Sequence, residues 1–122
     1  MDIRQVEPNV LLLPLPGEPQ LRPELALARE TVSRMEGMHV VVDFTRVEII
    51  TSPTIGSLLL LKETVSQWGG RLILCNLRLV TKCILRTAGL DMCFEFAADK
   101  FTALKALHEF TGATTGSSRA DL

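Results

Sequence analysis

A chain of 122 residues with 47% hydrophobic and 22% charged side chains carries enough apolar material for one compact core, which excludes a disordered chain. Thirteen basic against fourteen acidic side chains give a net charge of −1, which argues against the basic footprint that a nucleic-acid backbone requires. Cys75, Cys83 and Cys93 are odd in number and lack any CxxC or Cys/His spacing, so neither a disulfide framework nor a metal site is expected and a reducing cytoplasm is the natural home.

The N-terminal MDIRQVEPN lacks the charged-then-apolar pattern of an export signal. Ile3 to Val6 and Val10 to Leu15 are short apolar runs parted by the turn pair Pro8-Asn9, so the chain is expected to open on a β-hairpin. Pro14 is expected to weaken the second strand or to put it at an edge. After the loop Pro16-Gly17-Glu18-Pro19-Gln20, Leu21, Leu25, Ala28, Val32 and Met35 follow helical spacing, which predicts an amphipathic helix ending near Gly37.

His39 to Phe44 is continuous, apolar and β-branched, as in a central strand covered on both faces. Thr54 to Trp68 reads as a second helix, closed by Gly69-Gly70, and Arg71 to Cys75 as a second buried strand, which together make a right-handed crossover unit. Four successive leucines, Leu58 to Leu61, cover the circumference of that helix, so one must face outward, and Leu60 is the candidate for burial by a partner or by a second copy of the chain. Neither this run nor Val10 to Leu13 approaches the about 20 apolar residues that cross a bilayer.

Leu77 to Ala88 reads as a third helix with Leu77, Val80, Ile84 and Ala88 inward. Arg78, Lys82 and Arg86 fall on one of its faces, able to meet an acidic partner or a phosphate, or to stay solvated. Met92 to Phe96 is expected as a last short strand, and Asp99 as the N-cap of a final helix burying Phe101, Leu104, Leu107 and Phe110. The expected organisation is one domain over residues 1–110 and a flexible tail over residues 111–122.

Chemistry in such α/β sheets gathers where strands end and helices begin. Asp43 sits at a strand end, but neither His39 nor His108 forms a dyad with it, so it is read as the partner of loop N–H groups and no catalytic residue is assigned. Thr51, Ser52 and Thr54 cluster at the next helix start. Ser52 with Pro53 behind it suits an N-cap with proline at the first helical position. The same geometry suits a phosphoryl group, which would meet free N–H donors and the positive end of the helix dipole.

The order of elements, Gly17-Glu18 after the second strand, the strand VVVDFT, the turn VEII-x-S-x-x-IG, the strand GGRLILCNL and the segment RTAGL together resemble a STAS domain over about residues 3 to 110. That is the fold of bacterial anti-sigma-factor antagonists and of sulfate-transporter tails, a small mixed α/β sheet of four to five strands with helices mainly on one face. The family turn commonly reads Asp-Ser-Ser/Thr-Gly-Leu-Gly, its first Ser phosphorylated by a partner anti-sigma kinase. The resemblance implies that Ser52 is the acceptor, with Thr51 in place of the Asp, Pro53 at the second hydroxyl position, Thr54 at the first Gly and Gly56 at the last. Where the family has Gly-Glu-Leu-Asp, this chain has Gly17-Glu18-Pro19-Gln20, so Gln20 replaces a carboxylate beside the switch loop. Two acidic groups are thereby missing, which leaves open easier phosphorylation or a domain that docks and is never modified.

The function implied is a cytoplasmic, non-enzymatic regulator without cofactor, metal, nucleic acid or membrane partner. It binds an ATP-binding anti-sigma factor that is also a serine kinase through Thr51, Ser52, Pro53, Thr54, Gly56, Gln20 and Leu60, and a serine phosphatase resets it. The alternatives are a constitutive STAS scaffold with Ser52 as a helix cap only, and a small-molecule or nucleotide sensor, although no glycine-rich phosphate loop is present.

Overall fold

The computed structural model describes residues 3–113. In chain order it has β1 (Arg4–Glu7), β2 (Val10–Pro14), α1 (Leu21–Val32), β3 (His39–Asp43), α2 (Ser52–Gln67), β4 (Leu72–Cys75), α3 (Leu79–Thr87), β5 (Glu95–Ala97) and α4 (Lys100–Ala113). The strands form one sheet in the order β1-β2-β3-β4-β5. β1 runs antiparallel to β2, and the other three pairings are parallel.

The parallel strands are continuously apolar because helices cover both of their faces. On one face Leu11, Leu13, Val40, Val42, Leu72 and Leu74 pack against Leu25 and Ala28 of α1, Leu58, Leu61 and Val65 of α2, and Leu85 of α3. On the other, Val10, Leu12, Val41, Ile73 and Cys75 pack against Ala103 and Leu107 of α4. Three helices thus lie on one face and one on the other. Burial, with the Asp43 and Asp99 carboxylates nearby, pushes the Cys75 thiol up to about 12, so Cys75 behaves as a small core residue. Cys83 is exposed. No helix among the described residues is long and apolar enough to cross a membrane.

Several expectations are corrected. β2 is an interior strand despite Pro14, which pairs with Asp43 as its last residue. The Leu15 N–H donates to the Asp43 carbonyl (3.0 Å), so the nitrogen of Pro14 points to the opposite side, toward β1, whose recorded pairing stops at Arg4 and Leu12. Among the described residues, no ladder hydrogen bond is lost. α3 starts two residues later than expected, and its fully buried positions are Thr81 and Leu85, while Leu77 and Ile84, expected inward, are partly buried against the same core. Val80 is 48% exposed and Ala88 is also exposed, because the face that α3 turns to the core is centred on Thr81 and Leu85. β5 begins at Glu95, leaving Met92 exposed before it.

In α4, Asp99 accepts from the Thr102 N–H (2.8 Å) as the N-cap. Phe101, expected inside, is exposed, since Ala103 and Leu107 define the inward stripe. Phe110 lies outside the described side chains. Thr111, Gly112 and Ala113, expected in the tail, extend the helix, as no proline interrupts its backbone ladder there. Residues 114–122 lie outside the described residues.

The C-terminus of α2 fixes where β4 begins. Gly69 adopts φ +81°, and the N–H groups of Gly69 and Gly70 bond to the carbonyls of Ser66 and Val65, both at 3.0 Å, as in a Schellman ending. A Cβ on Gly70 would lie 2.0 Å from the Met38 carbonyl oxygen, whereas one on Gly56 meets nothing within 4 Å. Gly70→Ala is therefore expected to lower the unfolding free energy by about 1 to 3 kcal/mol, and Gly56→Ala to leave it unchanged or raise it by up to about 1 kcal/mol, as read by urea denaturation.

Candidate functional site

The site begins where β3 ends. The Asp43 carboxylate accepts from the Thr45 N–H (2.9 Å), the Thr45 hydroxyl (2.6 Å) and the Asn76 side-chain amide (3.0 Å). Asn76 holds φ 59°, a left-handed conformation that asparagine tolerates, and thereby reaches across from the end of β4. Burial pushes the Asp43 carboxyl up, but the bonds from Thr45 and Asn76 outweigh it and hold the group below the ordinary aspartate value. Asp43 is thus a fixed acceptor that ties two strand ends together. Phe44, Val47 and Ile50 are buried and pin the following loop onto the core.

That loop delivers Thr51 in an extended conformation (φ −113°, ψ 168°), and its carbonyl accepts the first helical bond, from the Ile55 N–H at 3.0 Å. Thr51 is therefore the N-cap, Ser52 the first helical residue and Pro53 the second. This corrects the expected cap at Ser52 by one position. Proline fits at either offset because the first helical N–H groups are unpaired anyway. Ser52 is exposed and lies one residue past the cap position, where the Thr51 side chain makes no capping hydrogen bond. Because Pro53 has no N–H, the first turn offers outward donors from Ser52 and Thr54.

Thr54 faces the interior with none of its surface exposed, and its hydroxyl donates to Glu18 Oε2 at 2.8 Å. Its Oγ1 also lies 3.2 Å from that of Thr51. Since the single proton of Thr54 goes to the carboxylate, Thr51 is the donor in that second bond. A directed chain therefore runs from Thr51 through Thr54 to Glu18. α2 has no acidic residue in its first turn, so the Glu18 charge, brought from another segment, complements the positive end of its dipole.

The positions of Thr51 and Gln20 are non-acidic as expected, but a carboxylate still reaches the start of α2. Gln20 is the N-cap of α1, exposed and without a side-chain capping bond, and no contact brings its amide to the switch loop. Glu18, two residues earlier, supplies a carboxylate there. The Gly17-Glu18 pair was visible in the sequence, but which side chain would reach Thr54 depended on the path of the loop. Glu18, Pro19, Arg22, Pro23, Ala26 and Ser57 line an open groove of about 520 Å³ between α1 and α2. Neither Arg22 nor Ser57 was singled out from sequence.

The other expected residues lie along α2. Pro53 and Gly56 are exposed, and Leu60 is 44% exposed, while Leu58 and Leu61 are fully buried. Among the described residues no group of three or more His, Cys, Asp or Glu side chains stands close enough to hold a metal ion.

No family model matches the chain, and no curated protein matches it in sequence. Solved structures do match. A STAS-domain protein of Planctomyces limnophilus superposes with TM-score 0.76 at 19% identity, covering 87% of this chain and 97% of that one. The chain has the STAS fold. RsbS of Moorella thermoacetica, in a form carrying a serine-to-glutamate substitution, matches with TM-score 0.72 at 17% identity, over 91% of this chain and 99% of its own. The anti-sigma factor antagonist SpoIIAA in its unphosphorylated form gives TM-score 0.63 at 15% identity, over 90% and 96%. Its phosphorylated form from Bacillus gives 0.58 at 16% identity, over 85% and 96%.

Within this STAS fold the hydroxyl chain makes a stability prediction. Thr54→Val and Glu18→Ala are each expected to lower the unfolding free energy by about 1 kcal/mol, with the double mutant losing less than the sum of the two. Gln20→Ala is expected to stay within about 0.5 kcal/mol of wild type in the same urea titrations.

Proposed function

We propose that this chain is an anti-sigma-factor antagonist switched by phosphorylation at Ser52. The observation that carries the reading is the position of Ser52: exposed, at the first residue of α2, with the N-cap position itself taken by Thr51. Neighbours of the same fold add to it, because SpoIIAA is described as an anti-sigma factor antagonist with unphosphorylated and phosphorylated forms.

In this reading the unmodified loop of Thr51, Ser52, Pro53 and Thr54, with Gly56 and the half-exposed Leu60 behind it, docks on an ATP-binding anti-sigma factor that is also a serine kinase. A sigma factor is thereby displaced in the cytoplasm. Ser52 Oγ bonds to the γ-phosphorus of ATP as the bond to ADP breaks, and the hydroxyl proton passes to the kinase. The product brings roughly −1.5 to −2 charge units to the start of α2. There the N–H groups of Ser52 and Thr54 and the helix dipole stabilise it, while the Glu18 carboxylate beside Thr54 opposes it. A contact made with the neutral hydroxyl is lost, and hydrolysis by a serine phosphatase restores it. Gln20 has no part in this scheme, and the carboxylate that tunes the site is Glu18.

The test is affinity capture from the source cells with wild type, Ser52→Ala and Ser52→Asp as baits, with intact mass measured after ATP is added. An ATP-binding kinase is expected on wild type and Ser52→Ala but not on Ser52→Asp, with a phosphate-sized mass gain on wild type that Ser52→Ala lacks. Equal partners on all three baits and no mass gain would leave a constitutive scaffold instead.

A further inference from the structure

The segment from Leu77 to Leu90, LRLVTKCILRTAGL, contains Arg78, Lys82 and Arg86 and no acidic residue, in a chain whose net charge is −1. α3 buries Thr81 and Leu85, with Ile84 partly buried beside them, and presents Arg78, Leu79, Val80, Lys82, Cys83 and Arg86 outward. Leu79 is 76% exposed and Val80 48%, and Met92, just past the end of the helix, is 88% exposed. Arg78, Lys82 and Arg86 are all exposed, and none forms an ion pair among the described residues, unlike Arg34 with Glu30 and Arg71 with Glu95. The fourfold spacing sets the cations about 6 Å apart along the axis, with Leu79 and Cys83 one position on from Arg78 and Lys82. A single exposed leucine is ordinary. An apolar ridge beside three unneutralised cations is the composition of a surface that gains both burial and charge pairing when covered.

We propose that the outward face of α3 is a docking surface for an acidic, leucine-bearing segment of a protein partner. Carboxylates of the partner pair with Arg78, Lys82 and Arg86, while its apolar side chains cover Leu79, Val80 and Met92. Charge complementarity selects this occupant. Outside α3 the chain is net acidic, so both nucleic acid and an anionic bilayer repel most of the surface that would have to approach them. The face is distinct from the Ser52 loop and does not depend on modification there. α2 follows β3 as α3 follows the parallel β4, so both helices start at the same edge of the sheet. A partner seated on one can therefore extend to the other.

The test uses the full chain, isotope-labelled for amide NMR, and a capped helical peptide with glutamate at every fourth position beside leucine. Controls are the same peptide with lysine for glutamate, phosphatidylserine vesicles and duplex DNA. The acidic peptide is expected to shift the amides from Leu77 to Ala88 and that of Met92, and the lysine peptide to shift none of them. Lys82→Glu combined with Arg86→Glu is expected to weaken binding about tenfold, and Leu79→Ser several-fold with the salt dependence unchanged. These positions are exposed, so each variant is expected to keep the wild-type spectrum outside α3. Shifts confined to other elements, equal binding of both peptides, equal binding by the charge-reversed variant, or tighter binding of vesicles or DNA would each overturn the proposal.

Discussion

The structure depends on the burial of β3 from both sides. Val40, Val41 and Val42 are fully buried, alternately against the layer of α1, α2 and α3 and against α4. Fully burying each such side chain contributes about 1.5 to 3 kcal/mol relative to exposure, so the strand cannot slip by a residue without exchanging its two faces. With β3 fixed between parallel neighbours, the start of α2 must emerge at the carboxyl edge of the sheet. The Asp43 to Asn76 hydrogen bond then locks the ends of β3 and β4 together beside it.

On that frame the start of α2 divides its hydroxyls by task. Thr54 turns inward and Thr51 closes the helix, both consumed by the hydrogen-bonded chain to Glu18. Ser52, on the other side of the first turn, keeps its oxygen in solvent. An anion placed there meets two opposed influences, the donors and dipole of the helix and the Glu18 carboxylate. The balance between them sets how readily such a site accepts and retains charge.

The strands and helices were legible in the sequence wherever a continuous apolar run or a clean helical period met glycine, proline or aspartate at its ends. His39 to Phe44, the glycine pair after α2 and the Asp99 cap are examples. Leu60 was legible for a geometric reason, since four leucines in a row cannot all face inward. The phase of α3 was legible only in part, because Leu77 and Ile84 do pack on the core while the polar Thr81, fully buried, breaks the apolar period that marked Val80 and Ala88. At the site, Thr51 and Ser52 are both competent caps with a proline close behind, and only the backbone angles separate them. Glu18 was missed in favour of Gln20 because local sequence does not encode which of two nearby side chains a loop carries to a helix 36 residues away.

The claim on which the functional reading turns is that Ser52 is free of structural duty. The direct measurement is the unfolding free energy of Ser52→Ala and Thr51→Ala beside wild type, each by urea titration. Ser52→Ala is predicted to stay within about 0.5 kcal/mol of wild type while Thr51→Ala loses more. A loss of about 1 kcal/mol or more for Ser52→Ala, with Thr51→Ala unchanged, would mean that Ser52 caps the helix and would contradict the account.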